Sequence, residues 1–178
     1  MALVQKSAEV FLAEGPICEV GESEINALKA AVKGSPKRRA RINAHADGED
    51  ALHEMIIAID PSSYIRPHKH PGKSEAFHII EGEVDIVVFT DKGEIDRVIR
   101  LGAPGSGRPF YYRMSKPFFH TLIIRSEILI VHEITNGPFR RDATVFADFA
   151  PDESETGKAA AYQADLVRRV ATLQGTVA

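Results

Sequence analysis

Four residues in this sequence are of the kinds that hold a divalent metal ion: His68, His70, Glu75 and His120. Three of them fall in one short stretch, His68-Lys69-His70-Pro71-Gly72-Lys73-Ser74-Glu75. On an extended chain His68 and His70 project from the same face, roughly 6.5–7 Å apart. Two imidazoles so placed can converge on one ion at metal–nitrogen distances of about 2.0–2.1 Å. Pro71-Gly72 predicts a turn that brings Glu75 back beside the pair. The candidate fourth ligand is His120, at the head of the apolar run Phe119–Ile124. With seven histidines in 178 residues, a His-x-His arises by chance about 0.3 times, so the pair alone says little. Adding Glu75 at its spacing and Gly82 beyond it lowers that expectation to roughly 0.003. Three neutral imidazoles and one carboxylate leave a divalent ion (Fe, Mn, Zn or Ni, one per chain) with a net charge of about +1 and open positions. Such an ion polarises a carbonyl or phosphoryl oxygen, lowers the pKa of bound water or, if it is iron, binds O₂.

Other residues are candidates for the surroundings of such a site. His78 lies three residues past Glu75 and faces away from it on a regular strand, unless a bulge shifts the register. His132 shares parity with Ile128 and Ile130 and is expected on an inward face. There it either orients a ligand or substrate or is a satisfied core histidine. With Tyr112, these two are the candidate acid–base groups. His45 and His53 belong to no constellation that spacing reveals. The run Lys37-Arg38-Arg39-Ala40-Arg41 reads as a solvated turn entering the core, or as a phosphate clamp in which Arg39 and Arg41 bind substrate, since the guanidinium fork suits phosphate oxygens. The Gly102–Gly107 loop is read as a turn, because a phosphate cradle should feed a helix N-terminus and a strand pattern follows here.

The elements that must position these groups are mostly strands. From Arg39 onward, short runs of Ile, Val, Phe and Tyr recur at 53–59, 63–68, 75–80, 83–90, 95–101, 109–114, 119–125 and 127–134. Turn signals separate them, in the rhythm of a β-sandwich or barrel. Within 83–90, Val84, Ile86 and Val88 share one face opposite Asp85, Val87 and Phe89. Residues 3–14 and 23–33 carry helical spacing, and Gly34-Ser35-Pro36 ends the second run. A final helix is expected over 152–173. Three regions follow: an N-terminal helical extension (1–34), a barrel (35–150) and a C-terminal helix (151–178).

Composition removes several classes of function. The chain carries 22 Lys and Arg against 25 Asp and Glu, is 44% hydrophobic and holds one cysteine, Cys18. That excludes an internal disulfide and a thiolate zinc site. A near-neutral chain lacks the global signature of nucleic-acid binding. No apolar run approaches the length of a membrane span. Residues 1–9 show neither the basic nor the apolar region of a secretory signal, so the expectation is a cytoplasmic protein. Sheet edges that need covering predict a homodimer.

The pattern His68-x-His70-x4-Glu75-x6-Gly82 resembles the first motif of the cupin superfamily. That likeness implies an all-β core folded as a double-stranded β-helix, or jelly roll, flanked by N-terminal helices and a C-terminal helix. Ser115-Lys116-Pro117-Phe118-Phe119-His120 matches the second cupin motif at its histidine but not at its usual Pro and Gly. Within the superfamily the chain resembles WbuC-type metalloproteins over about residues 35–150. The matching stretches are Ser35–His45, Tyr64–His70, Phe77–Gly82 and Val131-His132-Glu133 with Gly137-Pro138-Phe139. The resemblance implies a metal held by His68, His70, Glu75 and His120. It also implies an association with surface-polysaccharide biosynthesis, hence a metal-dependent oxygenase, isomerase or hydrolase acting on a sugar or sugar nucleotide. A non-catalytic metal-bearing module that binds a small ligand or regulates a partner is the alternative.

Overall fold

The computed structural model describes residues 2–175. Twelve strands and two helices follow one another as β1 (Ala2–Gln5), β2 (Val10–Glu14), α1 (Glu22–Gly34), β3 (Arg39–Asn43), β4 (Leu52–Ile59), β5 (His68–Lys69), β6 (Glu75–Glu81), β7 (Glu83–Phe89), β8 (Ile95–Gly102), β9 (Tyr111–Met114), β10 (Phe119–Ile124), β11 (Leu129–Asn136), β12 (Val145–Phe146) and α2 (Thr156–Gly175). They form two sheets, ordered β1-β2-β3-β4-β11-β6-β9 and β12-β5-β10-β7-β8. All pairings are antiparallel except β2 with β3. In the run β4-β11-β6-β9 and in β12-β5-β10-β7 neighbours are not consecutive in sequence, as in a double-stranded β-helix.

Three apolar layers hold this arrangement together. Between the sheets lie Phe77, Ile79, Val84, Ile86, Val88, Leu122, Ile124 and Val131. Outside the larger sheet, Ala40, Ile42, Ile56, Ala58 and Ile130 pack under Leu28 and Val32 of α1. Outside the smaller sheet, Val87, Phe89, Phe119 and Ile123 pack under Leu166 and Val170 of α2. The alternation expected in 83–90 is therefore present, and both of its faces are dry. For this reason β10 is buried at every position. Among the described residues no helix is long and apolar enough to cross a membrane.

Three local expectations are corrected. Residues 3–14 form a hairpin rather than a helix, with Leu3 opposite Ala13 and Val4 opposite Leu12. β2 then adds to the free edge of β3, Val10 facing Arg41. The β-branched and aromatic cluster Val10-Phe11-Leu12 fits a pleated surface, and its apolar run is too short for periodicity to decide between helix and strand. The run 63–68 makes no strand before His68. Pro67 has no N–H to give a ladder, and side chains take the carbonyls instead: the Thr121 hydroxyl donates to Ile65 O and Arg39 to Tyr64 O at 2.9 Å. Of the basic run only Lys37 and Arg38 lie in the expected turn; from Arg39 it is strand, Arg39–Asn43, with Ala40 and Ile42 buried under α1. The C-terminal helix forms as expected, starting at Thr156.

Candidate metal centre

His68 and His120 face each other across the β5–β10 pairing. The turn at Pro71-Gly72, where Gly72 takes φ +76, returns the chain so that Glu75 opens β6 beside them. One ligand atom from each of His68, His70, Glu75 and His120 lies within 4.8 Å of all the others. Glu75 Oε1 is 3.3 Å from His120 Nε2, and Glu75 Oε2 is 3.5 Å from His70 Nε2. Donors about 2.1 Å from a shared ion at right or tetrahedral angles stand roughly 3.0–3.4 Å apart, so the spacing is close to that of a coordination polyhedron.

The ring orientations agree. His68 Nδ1–H donates to Arg66 O at 2.8 Å and His120 Nδ1–H to Phe118 O at 3.0 Å, leaving each Nε2 lone pair free on the side of the cluster. His70 Nδ1 lies 3.3 Å from Thr144 Oγ1. His120 Nε2 is buried, and its contact with Glu75 Oε1 at 3.3 Å lacks hydrogen-bond geometry, so this nitrogen still has room for a ligand bond. A metal ion fits all of these observations.

Electrostatics prepare three of the four groups for ligation and leave His120 favouring a proton that a metal ion would displace. Burial, then the rings of His120 and His70, push His68 down to about 3, and burial lowers His70 as well. Both are thus neutral ligands at ordinary pH. Burial pushes the Glu75 carboxyl up, but the neighbouring His120 and the Tyr112 hydroxyl outweigh it and draw Glu75 down to about 2. His120 is the counterpart: burial lowers it, yet Glu75 raises it more.

The remaining sequence candidates divide. Tyr112 is buried in the inter-sheet core and donates its hydroxyl to Glu75 Oε1 at 2.7 Å, which makes it a positioning residue for a ligand. Tyr112→Phe is expected to keep the fold and weaken metal binding by about tenfold or more, measured by competition with a chelating dye. Unchanged affinity would show that Tyr112 merely packs. His78 does not join the site: it is exposed on the outer face of β6, its ring 5.3 Å from that of Phe110. His132 pairs with it in register and shares that outer face, with Nε2 3.5 Å from Glu54 Oε1. The parity reading grouped His132 with Ile130 correctly, but Ile130 points to α1 and not to the interior. Arg41 and Arg39 both line the cavity over the cluster. Arg39 is already committed, to Tyr64 O, to Ser63 Oγ at 3.3 Å and to Glu153 at 2.9 Å. Arg41 is exposed and spends its Nε on Asn43 Oδ1 at 3.0 Å.

Glu133 falls in one of the matching stretches but is not among the sequence candidates for the site. It lines the same cavity, of about 330 Å³, and burial followed by the Glu75 charge raises its carboxyl to about 8, against the opposing pull of Arg41 and His120. The signal available was its parity with Val131, which is on the inner face.

A family model described as a domain of unknown function, DUF6016, matches residues 20–101. No curated protein matches the chain. Among solved structures, the chain is similar to the Schizosaccharomyces pombe Cnp3 cupin domain (9% identity, TM-score 0.43, 56% of this chain and 64% of that one). It is also similar to Bacillus subtilis oxalate decarboxylase, studied for its Mn(II) centres (19%, 0.44, 55% and 24%). Shewanella oneidensis protein SO0799 is a third neighbour (13%, 0.49, 68% and 75%). The chain thus spans less than two thirds of the Cnp3 domain and about a quarter of the decarboxylase. Strand order and register define the fold as a two-sheet jelly roll, and its His/Glu cluster has the make-up of a single metal site.

Proposed function

We propose that this protein is a metal-dependent enzyme of the WbuC type, acting on a small polar substrate such as a sugar or sugar nucleotide in surface-polysaccharide biosynthesis. The observation that carries the reading is the convergence of three imidazoles and one carboxylate in a solvent-connected cavity of about 330 Å³, a size suited to a small ligand. A divalent ion held by His68, His70, Glu75 and His120 would supply Lewis acidity to a substrate oxygen or to water. The chain's own groups do the rest. Tyr112 fixes the Glu75 carboxylate, Arg41 stands at the wall where a substrate phosphate can be met, and Glu133 offers a carboxyl that holds or accepts a proton. In that last role it replaces His78 and His132, which face away. Ile57, Ile65 and Leu122 on the cavity wall limit the water around the reacting groups.

The test begins with elemental analysis of protein purified without chelators, expected to give one divalent ion per chain. The metal-loaded protein is then screened against sugar nucleotides with and without oxygen, with product formation from at least one expected. A chain that neither retains nor takes up metal refutes the reading. Metal together with tight binding and no product would favour the non-catalytic module.

A further inference from the structure

The cavity over the metal ligands does not end there. A second chamber, of about 420 Å³, adjoins it, and His70, Arg41, Glu133 and Thr144 border both. The second chamber lies against β2, β3 and β4 and under the segment that follows β11. It holds the two histidines that spacing left without a role. His45 and His53 stack in parallel, ring centroids 4.1 Å apart and planes within 3°, and both are buried. His53 Nε2 is buried without a hydrogen-bond partner. Burial, then His45 and Lys73, lower the pKa of His53.

The charge on this wall is unbalanced. Lys6, Arg41, Lys73 and Arg140 line the chamber against Asp47 and Glu133. Arg140 is neutralised by Glu49, at 2.7 and 2.9 Å. Arg41 makes no ion pair among the described residues; its Nε donates to the amide oxygen of Asn43. Lys73 donates to a carbonyl, Pro138 O at 2.9 Å, not to an acid. Asp47 is itself occupied, accepting the Glu49 N–H at 2.8 Å. A partly enclosed space with uncompensated Arg and Lys suits an anion that accepts several hydrogen bonds.

We propose that the second chamber binds an oxyanion through Arg41 and Lys73, so that the ligand of this protein is a two-ended molecule with metal-chelating oxygens at one end and a phosphate or carboxylate at the other. The proposal rests on the metal reading given above and deepens it. Glycerate, malate and phosphoglycerate share an α-hydroxycarboxylate head and differ in tail: neutral, carboxylate and phosphate. Each is titrated calorimetrically into the metal-loaded protein. A charged tail is expected to tighten binding by about tenfold or more, and the ratio of malate to phosphoglycerate tells which oxyanion is preferred. Arg41→Met/Lys73→Met is expected to erase that advantage while keeping its metal content. Equal affinities for all three compounds, or an advantage that survives the double substitution, overturns the inference. Metal content reads the underlying proposal separately. If the native chain binds no metal, inorganic phosphate titrated alone still decides: heat of binding that disappears in the double variant supports the chamber, and no binding overturns it.

Discussion

His120→Ala takes up no divalent metal at concentrations that saturate the native chain, and it loses the rise in melting temperature that metal confers. His120 is the most buried of the four ligands, its ring is fixed from behind by Phe118 O, and its Nε2 faces Glu75 Oε1 at 3.3 Å. Losing a hydrogen-bond partner behind a ligand typically costs about 10–100-fold in affinity; losing the ligand itself costs more than that. A ligand present at a hundred times its Kd stabilises a protein by about 2.7 kcal/mol. For a chain of this size that corresponds to roughly 5–10 °C in Tm. Calorimetry with and without metal should show that increment in the native protein and none in the variant. His78→Ala, on the exposed outer face, serves as the matched control and should retain the full increment. If His120→Ala keeps stoichiometric metal, the centre assigned here is wrong.

Glu133→Gln should change the pH dependence of stability in protein stripped of metal by a chelator. Burial and Glu75 hold the Glu133 carboxyl at about 8 in the folded chain, against 4.5 for an ordinary glutamate. Between those values the folded state binds a proton that the unfolded state has released, so this group makes stability fall as pH rises from about 4.5 to about 8. Glutamine keeps the shape and cannot ionise. The variant should therefore match the native chain near pH 4.5 and exceed it increasingly above, by on the order of a few kcal/mol near pH 8. The quantity to compare is the difference between the two proteins. His68, held low by burial and by His120 and His70, contributes an opposite slope at acid pH to both. Urea melts across this range provide the measurement; parallel profiles for the two proteins would remove Glu133 from the buried cavity wall.

Much of the ligand set was legible because it is local. His68, His70 and Glu75 are joined by one turn, and the alternation of a strand plus a Pro-Gly turn nearly determines where they meet. His120 could be matched to them because the apolar run around it had to be a central strand. The face of β11 was harder to read. Both sides of the larger sheet are covered, one by the facing sheet and the other by α1, so apolar neighbours do not mark the interior. That is why His132 was placed inward and Glu133 passed over. The N-terminal hairpin was hidden for a related reason: its strand exists because β3 offers an open edge, a partner 31 residues away in the pairing of Val10 with Arg41. His45 and His53 are eight residues apart in sequence, and only the folding of β4 against the segment after β3 stacks them.

The ladder around the metal ligands is uneven. β10 is hydrogen-bonded along its whole length to β7 and is buried throughout, whereas His68 and His70 sit on a strip joined to β10 at a single residue pair and to the two-residue β12. Amide protons of β10 should exchange only when the whole barrel opens, and those of Tyr64–Lys73 through smaller, local openings. The site thus spans the most and the least protected parts of the smaller sheet. A metal held here is therefore expected to leave at a rate that follows local opening of the His68–His70 strip and not global unfolding of the barrel.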